Sequence, residues 1–248
     1  MKQLFLIFIL LLSSPAWAVT PKELADQAQN AYQAGKYADA IRAWNELSQI
    51  GFVNGDLYYN MASAYWRLGQ AGQARRYFLA AQEWSPRDAA LRENLAFIES
   101  KVEPSAPAVD GPRALLKKIP FYRLAMNASE SLWFCALASL LFFGLLIAYR
   151  LQKKPFYLAL AALTLPLVFF GSYQYLARVG LPMATTQAVV VAPNLALREQ
   201  PLADSPVREE LREGRLVRLN KVQGDFALVK SPSGKEGWAE RKLLGEIP

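Results

Sequence analysis

The 248-residue chain reads as a multidomain protein in three parts: an all-α region of helical repeats, a transmembrane helical hairpin and a small all-β barrel. Three observations predict this. Residues 21–100 repeat small and aromatic residues with a period of 34, residues 132–149 and 156–176 are two apolar runs without charge, and short alternating segments separated by turn-forming residues begin at 187.

The hairpin orders the other parts. At about 1.5 Å per residue, each run is about long enough to cross a hydrocarbon core of about 30 Å. Only Arg150, Leu151, Gln152, Lys153 and Lys154 separate the runs, so they must be antiparallel, and everything before and after them lies on one side of the membrane. The expected spans are 131–149 and 155–177, joined by a cytoplasmic turn at 150–154. Neither contains Asp, Glu, Lys or Arg, so a proton or ion pathway has no carrier. Cys135 reads as a packing residue, Gly144 and Gly171 as points of close helix approach, and Pro166 as a kink.

The formal charge of +7 invites a nucleic-acid reading until it is divided by region. It is −1 over 22–103, +2 over 104–130, +4 over 131–182 and +1 over 183–248, with Lys2 supplying the last charge. The excess therefore flanks the apolar runs, where it sets membrane topology and anchoring, and no nucleic-acid partner is expected. The chain has no His and one Cys, which excludes disulfide frameworks and Cys/His metal sites within one chain, together with Ser-His and Cys-His catalysis. No cofactor, metal or enzymatic activity is expected.

Residues 1–18 combine Lys2, an apolar core at 4–12 and the small residues Ala16 and Ala18 in an A-x-A arrangement, the pattern of a cleaved secretory signal; the alternative is an uncleaved anchor helix, for which nine consecutive apolar residues are short. Export of residue 19 onward sends the first span inward and leaves Arg150, Lys153 and Lys154 in the cytoplasm, as the positive-inside rule prefers. The two signals agree on a bacterial inner-membrane protein with both domains periplasmic.

In the exported region, 19–103, Gly35 and Gly69 stand one period apart, as do Ala40 and Ala74, Trp44 and Phe78, and Tyr32 and Trp66. Small residues suit close helix crossings, aromatics fill the adjoining gaps, and the glycines end the first helix of each pair. The unit at 55–88, with Tyr58, Met61, Ala62, Tyr65, Leu68, Gly69, Ala74, Phe78, Ala81 and Pro86, resembles a tetratricopeptide (TPR) repeat. The unit from Pro21 resembles it less fully, having Phe52 where the closing proline would stand. A third helix, roughly 86–101, repeats the start of the pattern and is expected to cap the stack. The resemblance implies a peptide-binding groove lined by the first helix of each pair: Gln29 and Tyr32, then Tyr59, Asn60, Ser63, Trp66 and Arg67, then Asn94. A side-chain amide such as that of Asn60 or Asn94 both donates and accepts against a peptide backbone. The alternative is that the asparagines satisfy local loops and that Tyr32 and Trp66 are packing residues.

Residues 104–130 open as a proline-rich tether and continue as a basic, apolar stretch at 113–119, which is either an interfacial helix or a solvated connector. Asn127, Ala128 and Ser129 spell a glycosylation acceptor, read here as chance.

In 183–248, strands are expected at 189–192, 195–198, 215–222, 226–230 and 237–241, and five short strands in so few residues imply a small barrel. The segments 195–198, 205–207, 213–214, 224–226 and 237–239 resemble bacterial SH3-like domains, with Phe226 where many relatives carry Trp. That resemblance implies a binding groove with Phe226 and Trp238 as its aromatics; the competing reading makes Trp238 a core anchor. The order of signal, TPR pair, two spans and SH3-like module is similar along the chain to BatE-like members of the Bacteroides-aerotolerance (Bat) family. It implies a non-enzymatic scaffold that works with von Willebrand A domain membrane proteins and, indirectly, a MoxR-type ATPase in aerotolerance or envelope stress. The alternative is a peptidoglycan-binding or wall-sensing membrane protein.

Overall fold

The computed structural model describes residues 20–102, 126–179 and 186–248. The expected signal peptide and the stretch at 113–119 lie outside the described residues. The chain divides into two compact units after Val53.

The first unit holds one helical pair, α1 (Pro21–Gln33) and α2 (Tyr37–Gln49). Thr20 starts α1 with a capping box: its Oγ1 accepts the Glu23 N–H at 3.2 Å, and Glu23 accepts the Thr20 N–H at 2.8 Å. Gly35 turns the chain at φ +74°, a left-handed conformation that favours glycine. Leu24, Ala28, Ala40, Ile41, Trp44 and Leu47 form the buried face.

The second unit begins with α3 (Gly55–Arg67), α4 (Ala71–Trp84) and α5 (Ala89–Val102). Asn54 caps α3 by accepting the Leu57 N–H at 2.7 Å. Gly69 repeats the left-handed turn of Gly35 at φ +76°. Ala62 and Ala74 are fully buried, the small-residue crossing anticipated from the period of 34. Leu91, Leu95 and Ile98 give α5 one buried stripe.

Two long apolar helices follow, α6 (Ala128–Gln152) and α7 (Pro155–Val179), with candidate spans at Ala128–Gln152 and Pro155–Leu176. Twenty-five residues of helix extend about 37 Å, enough to cross a bilayer core with some tilt. The five-residue turn expected between the runs shrinks to Lys153 and Lys154, because α6 continues through Arg150 to Gln152 and Lys153 adopts φ +57° as its cap. Asn127 and Glu130 form a capping box at the start of α6, with bonds of 2.8 and 3.0 Å. That assigns the Asn127 side chain a structural job. The helices meet through small and weakly polar groups: Gly171 lies against the Cys135 backbone, and Cys135 Sγ is 3.2 Å from Ser172 Oγ.

The carboxyl-terminal module is a seven-stranded antiparallel sheet in the order β3-β2-β6-β5-β4-β1-β7. Its strands are β1 (Thr186–Val190), β2 (Asn194–Arg198), β3 (Val207–Arg212), β4 (Leu216–Gln223), β5 (Phe226–Lys230), β6 (Glu236–Glu240) and β7 (Leu244–Glu246). Two strands exceed expectation, and the sheet is not closed into the expected barrel, since β3 and β7 are the two ends of the order. Strand β3 exposes Arg208, Glu210 and Arg212, charges that blunt an edge against further pairing. The core comprises Ala188, Val190, Leu195, Leu197, Leu211, Val217, Leu219, Ala227, Val229, Ala239 and Leu244.

Candidate partner-binding surfaces

The groove residues assigned from the repeat pattern divide between the two units. In the first, Gln29 is exposed on α1, while Tyr32 is half-buried against Tyr37 and Trp44, with ring centroids 5.3 and 5.9 Å apart. In the second, two contacts join α3 to α5. Asn94 Nδ2 donates to the Tyr59 hydroxyl at 2.8 Å, and the Trp66 ring meets Phe97 edge-on at 5.5 Å. Phe97 remains 49% exposed, with Lys101 Nζ 5.5 Å from its ring centroid, so this end of the surface is aromatic, accessible and bordered by a cation. Tyr59 also packs edge-on against Phe78 of α4 at 5.4 Å. Ser63 returns its hydroxyl to the Tyr59 carbonyl at 2.9 Å, a bond within its own helix. Asn60 is half-buried and Arg67 is exposed. The second unit thus gathers Tyr59, Trp66, Asn94 and Phe97 into one aromatic and amide surface.

In the same helical pair Tyr58 is buried beside Tyr77, at 6.0 Å between rings. Burial, reinforced by the neighbouring Tyr77, raises its hydroxyl above the ordinary tyrosine pKa.

In the β module the pleat decides where the aromatics point. Gly237 and Ala239 are buried on β6, and a Cβ at Gly237 would lie 2.9 Å from Leu197 Cβ, so the alternate residue Trp238 faces outward and is half-exposed. Trp238 is not among the residues of the buried core cluster. On β5, Ala227 and Val229 face the core, which turns Phe226 and Leu228 outward as well. Leu228 is directly opposite Trp238, Phe226 lies on the diagonal, and Arg198 of β2 is Trp238's partner on its other side. Both aromatics chosen from the sequence share one half-exposed sheet face.

A third surface has no counterpart in the sequence reading. The first turn of α4 packs against the β module, and a Cβ on Gly72 would collide with the Val190 carbonyl oxygen. Glu213, at the turn after β3, accepts the Gly72 N–H at 2.8 Å. It serves as an end cap that α4 lacks from its own sequence, since Gln70 makes no side-chain cap and the first turn holds no acid. Arg75, 4% exposed, donates to the Gly214 carbonyl at 2.7 Å and to Glu99 Oε1 at 3.1 Å. Arg76 Nε donates to the Glu246 carbonyl, and Val102 at the end of α5 fills the space where a Gly214 side chain would go. One available signal was Arg75 itself, which stands 34 residues after the buried Ile41.

Among the described residues, no three His, Cys, Asp or Glu side chains form a group that could hold a metal ion. No curated protein matches the chain. Residues 55–88 match the tetratricopeptide repeat family model, covering the whole of the second helical pair from Gly55 to Asp88. This segment is similar to a repeat type that implies protein partners.

Proposed function

We propose that the chain is a non-enzymatic membrane adaptor that holds protein partners through its TPR surface and its SH3-like module at the outer face of a bacterial inner membrane. The observation that carries this reading is the TPR match at 55–88 together with the accessible surface built from Tyr59, Trp66, Asn94 and Phe97. Two long apolar helices joined by two lysines support anchorage, and the bonds between α4 and the β module support one compartment for both domains. The resemblance to BatE-like proteins supports von Willebrand A domain proteins as direct partners and a MoxR-type ATPase as an indirect one, in aerotolerance or envelope stress.

The test replaces Tyr59, Asn60 and Trp66 together by alanine in the full chain and compares proteins recovered after cross-linking in intact membranes. Loss of wild-type partners with unchanged helical circular dichroism is expected. Full recovery with the fold intact would contradict the groove assignment.

A second reading, peptidoglycan binding, is favoured by one feature: Phe226 and Trp238 share an outward sheet face, where aromatic rings can stack on sugars. Retention of the full chain on purified peptidoglycan, lost in Phe226→Ala and Trp238→Ala, is its expected outcome. Absence of retention would remove it.

A further inference from the structure

The β module touches the repeat region at two helix ends, the first turn of α4 and the last turn of α5. Helix direction alternates along a repeat stack, so the second helix of a further repeat would begin beside these same ends. We infer that the β module acts as the end cap of the repeat stack and, through Arg75, holds α5 in the position that forms the partner-binding surface.

The chain of contacts runs in three steps. Glu213 and Gly214 lie together at the turn after β3, where Glu213 fixes the start of α4 and the Gly214 carbonyl takes the Arg75 guanidinium. The same guanidinium reaches Glu99 on α5. Helix α5 in turn supplies Asn94 to Tyr59 and Phe97 to Trp66. Val102 packed on Gly214 adds a direct apolar contact between the module and α5. A buried guanidinium with a carbonyl on one side and a carboxylate on the other is geometrically demanding, so a displaced β module takes the Gly214 carbonyl away from Arg75 and loosens the geometry that also holds Glu99. Docking of the module and ordering of α5 are then linked, and a partner that binds the Tyr59–Phe97 surface favours docking by the same factor that docking favours the partner. This role differs from partner binding by the sheet itself and depends on the adaptor reading only in its last step.

The experiment is hydrogen exchange read by mass spectrometry on the full-length protein in lipid nanodiscs. Glu213→Ala removes the cap without creating a core cavity. Amides of the first turn of α4 and of α5 are expected to exchange about five-fold faster, the factor expected from loss of one helix cap, while those of α1, α2 and the β core keep wild-type rates. Gly72→Val, which places side-chain atoms against the Val190 carbonyl, is expected to give the same pattern more strongly. Acceleration confined to the first turn of α4 would reduce Glu213 to a local cap and overturn the linkage. Wild-type rates in both variants would overturn docking as well. If Gly72→Val fails to fold, Glu213→Ala alone decides between these outcomes. Because exchange is read without a partner, failure of the adaptor reading leaves this test intact.

Discussion

Helices α2 and α4 are the second helices of two pairs built on the same period, yet they bury opposite chemistry at equivalent positions. Ile41 of α2 lies in the apolar face at 6% exposure, and Arg75 of α4, 34 residues later, is just as buried but charged. Arg42 pairs with Asp39 on its own helix in solvent, while its equivalent Arg76 bonds to the backbone of β7. The first turn of α2 contains Asp39; that of α4 has Gln73 at this position and receives Glu213 from elsewhere in the chain. The comparison teaches that the repeat period sets which positions are buried, and that the neighbour against which they are buried sets their chemistry.

Exchanging the two chemistries has the largest expected effect. Ile41→Arg places a guanidinium at a buried position of an apolar face, and a loss of about 3–5 kcal/mol is expected from denaturant unfolding. Arg75→Met should cost less, because Met fills most of the volume and the Glu99 carboxylate, 44% exposed on its side chain, can turn to water. If both variants cost the same, the distinction between the helices has no energetic content.

How much of this was legible follows from how far apart the determining residues lie. The helical pairs and the hairpin were readable because Ala62, Ala74 and the glycine turns act locally, and because uncharged runs admit few alternatives. Strand β3 was missed because VREELR carries charge on both sides of the pleat and has too few apolar residues to alternate. Strand β7 is only three residues long, one of them glycine. The outward direction of Trp238 follows from Gly237 fitting against Leu197, a contact across 40 positions of sequence. The docking surface joins residues 139 to 170 positions apart, so Gly72 read as an ordinary residue near a helix start until its neighbour was known.

Tyr58 gives a smaller effect under the second pair. Its hydroxyl pKa is raised by burial, so its contribution to stability is complete below the unfolded value near 10 and is lost as pH rises through the folded value. Tyr58→Phe should flatten the fall in thermal stability above about pH 10. An unchanged alkaline profile would mean that Tyr58 does not govern that limb. The smallest effect belongs to Arg42→Ala, since the Arg42–Asp39 pair is 76% and 49% exposed; a change within about 0.5 kcal/mol is expected, and a larger one would mean that α2 too has a partner.

The central claim is that the repeat region and the β module lie in one compartment and dock through α4. Arg76→Cys and Glu246→Cys in one full-length chain, treated in intact membranes with a short bis-maleimide, test it most directly, because Arg76 Nε bonds to the Glu246 carbonyl. The account predicts an intramolecular cross-link of the double variant at low protein density, weakened by Gly72→Val. Efficient labelling of each cysteine alone with no cross-link in the pair would contradict it.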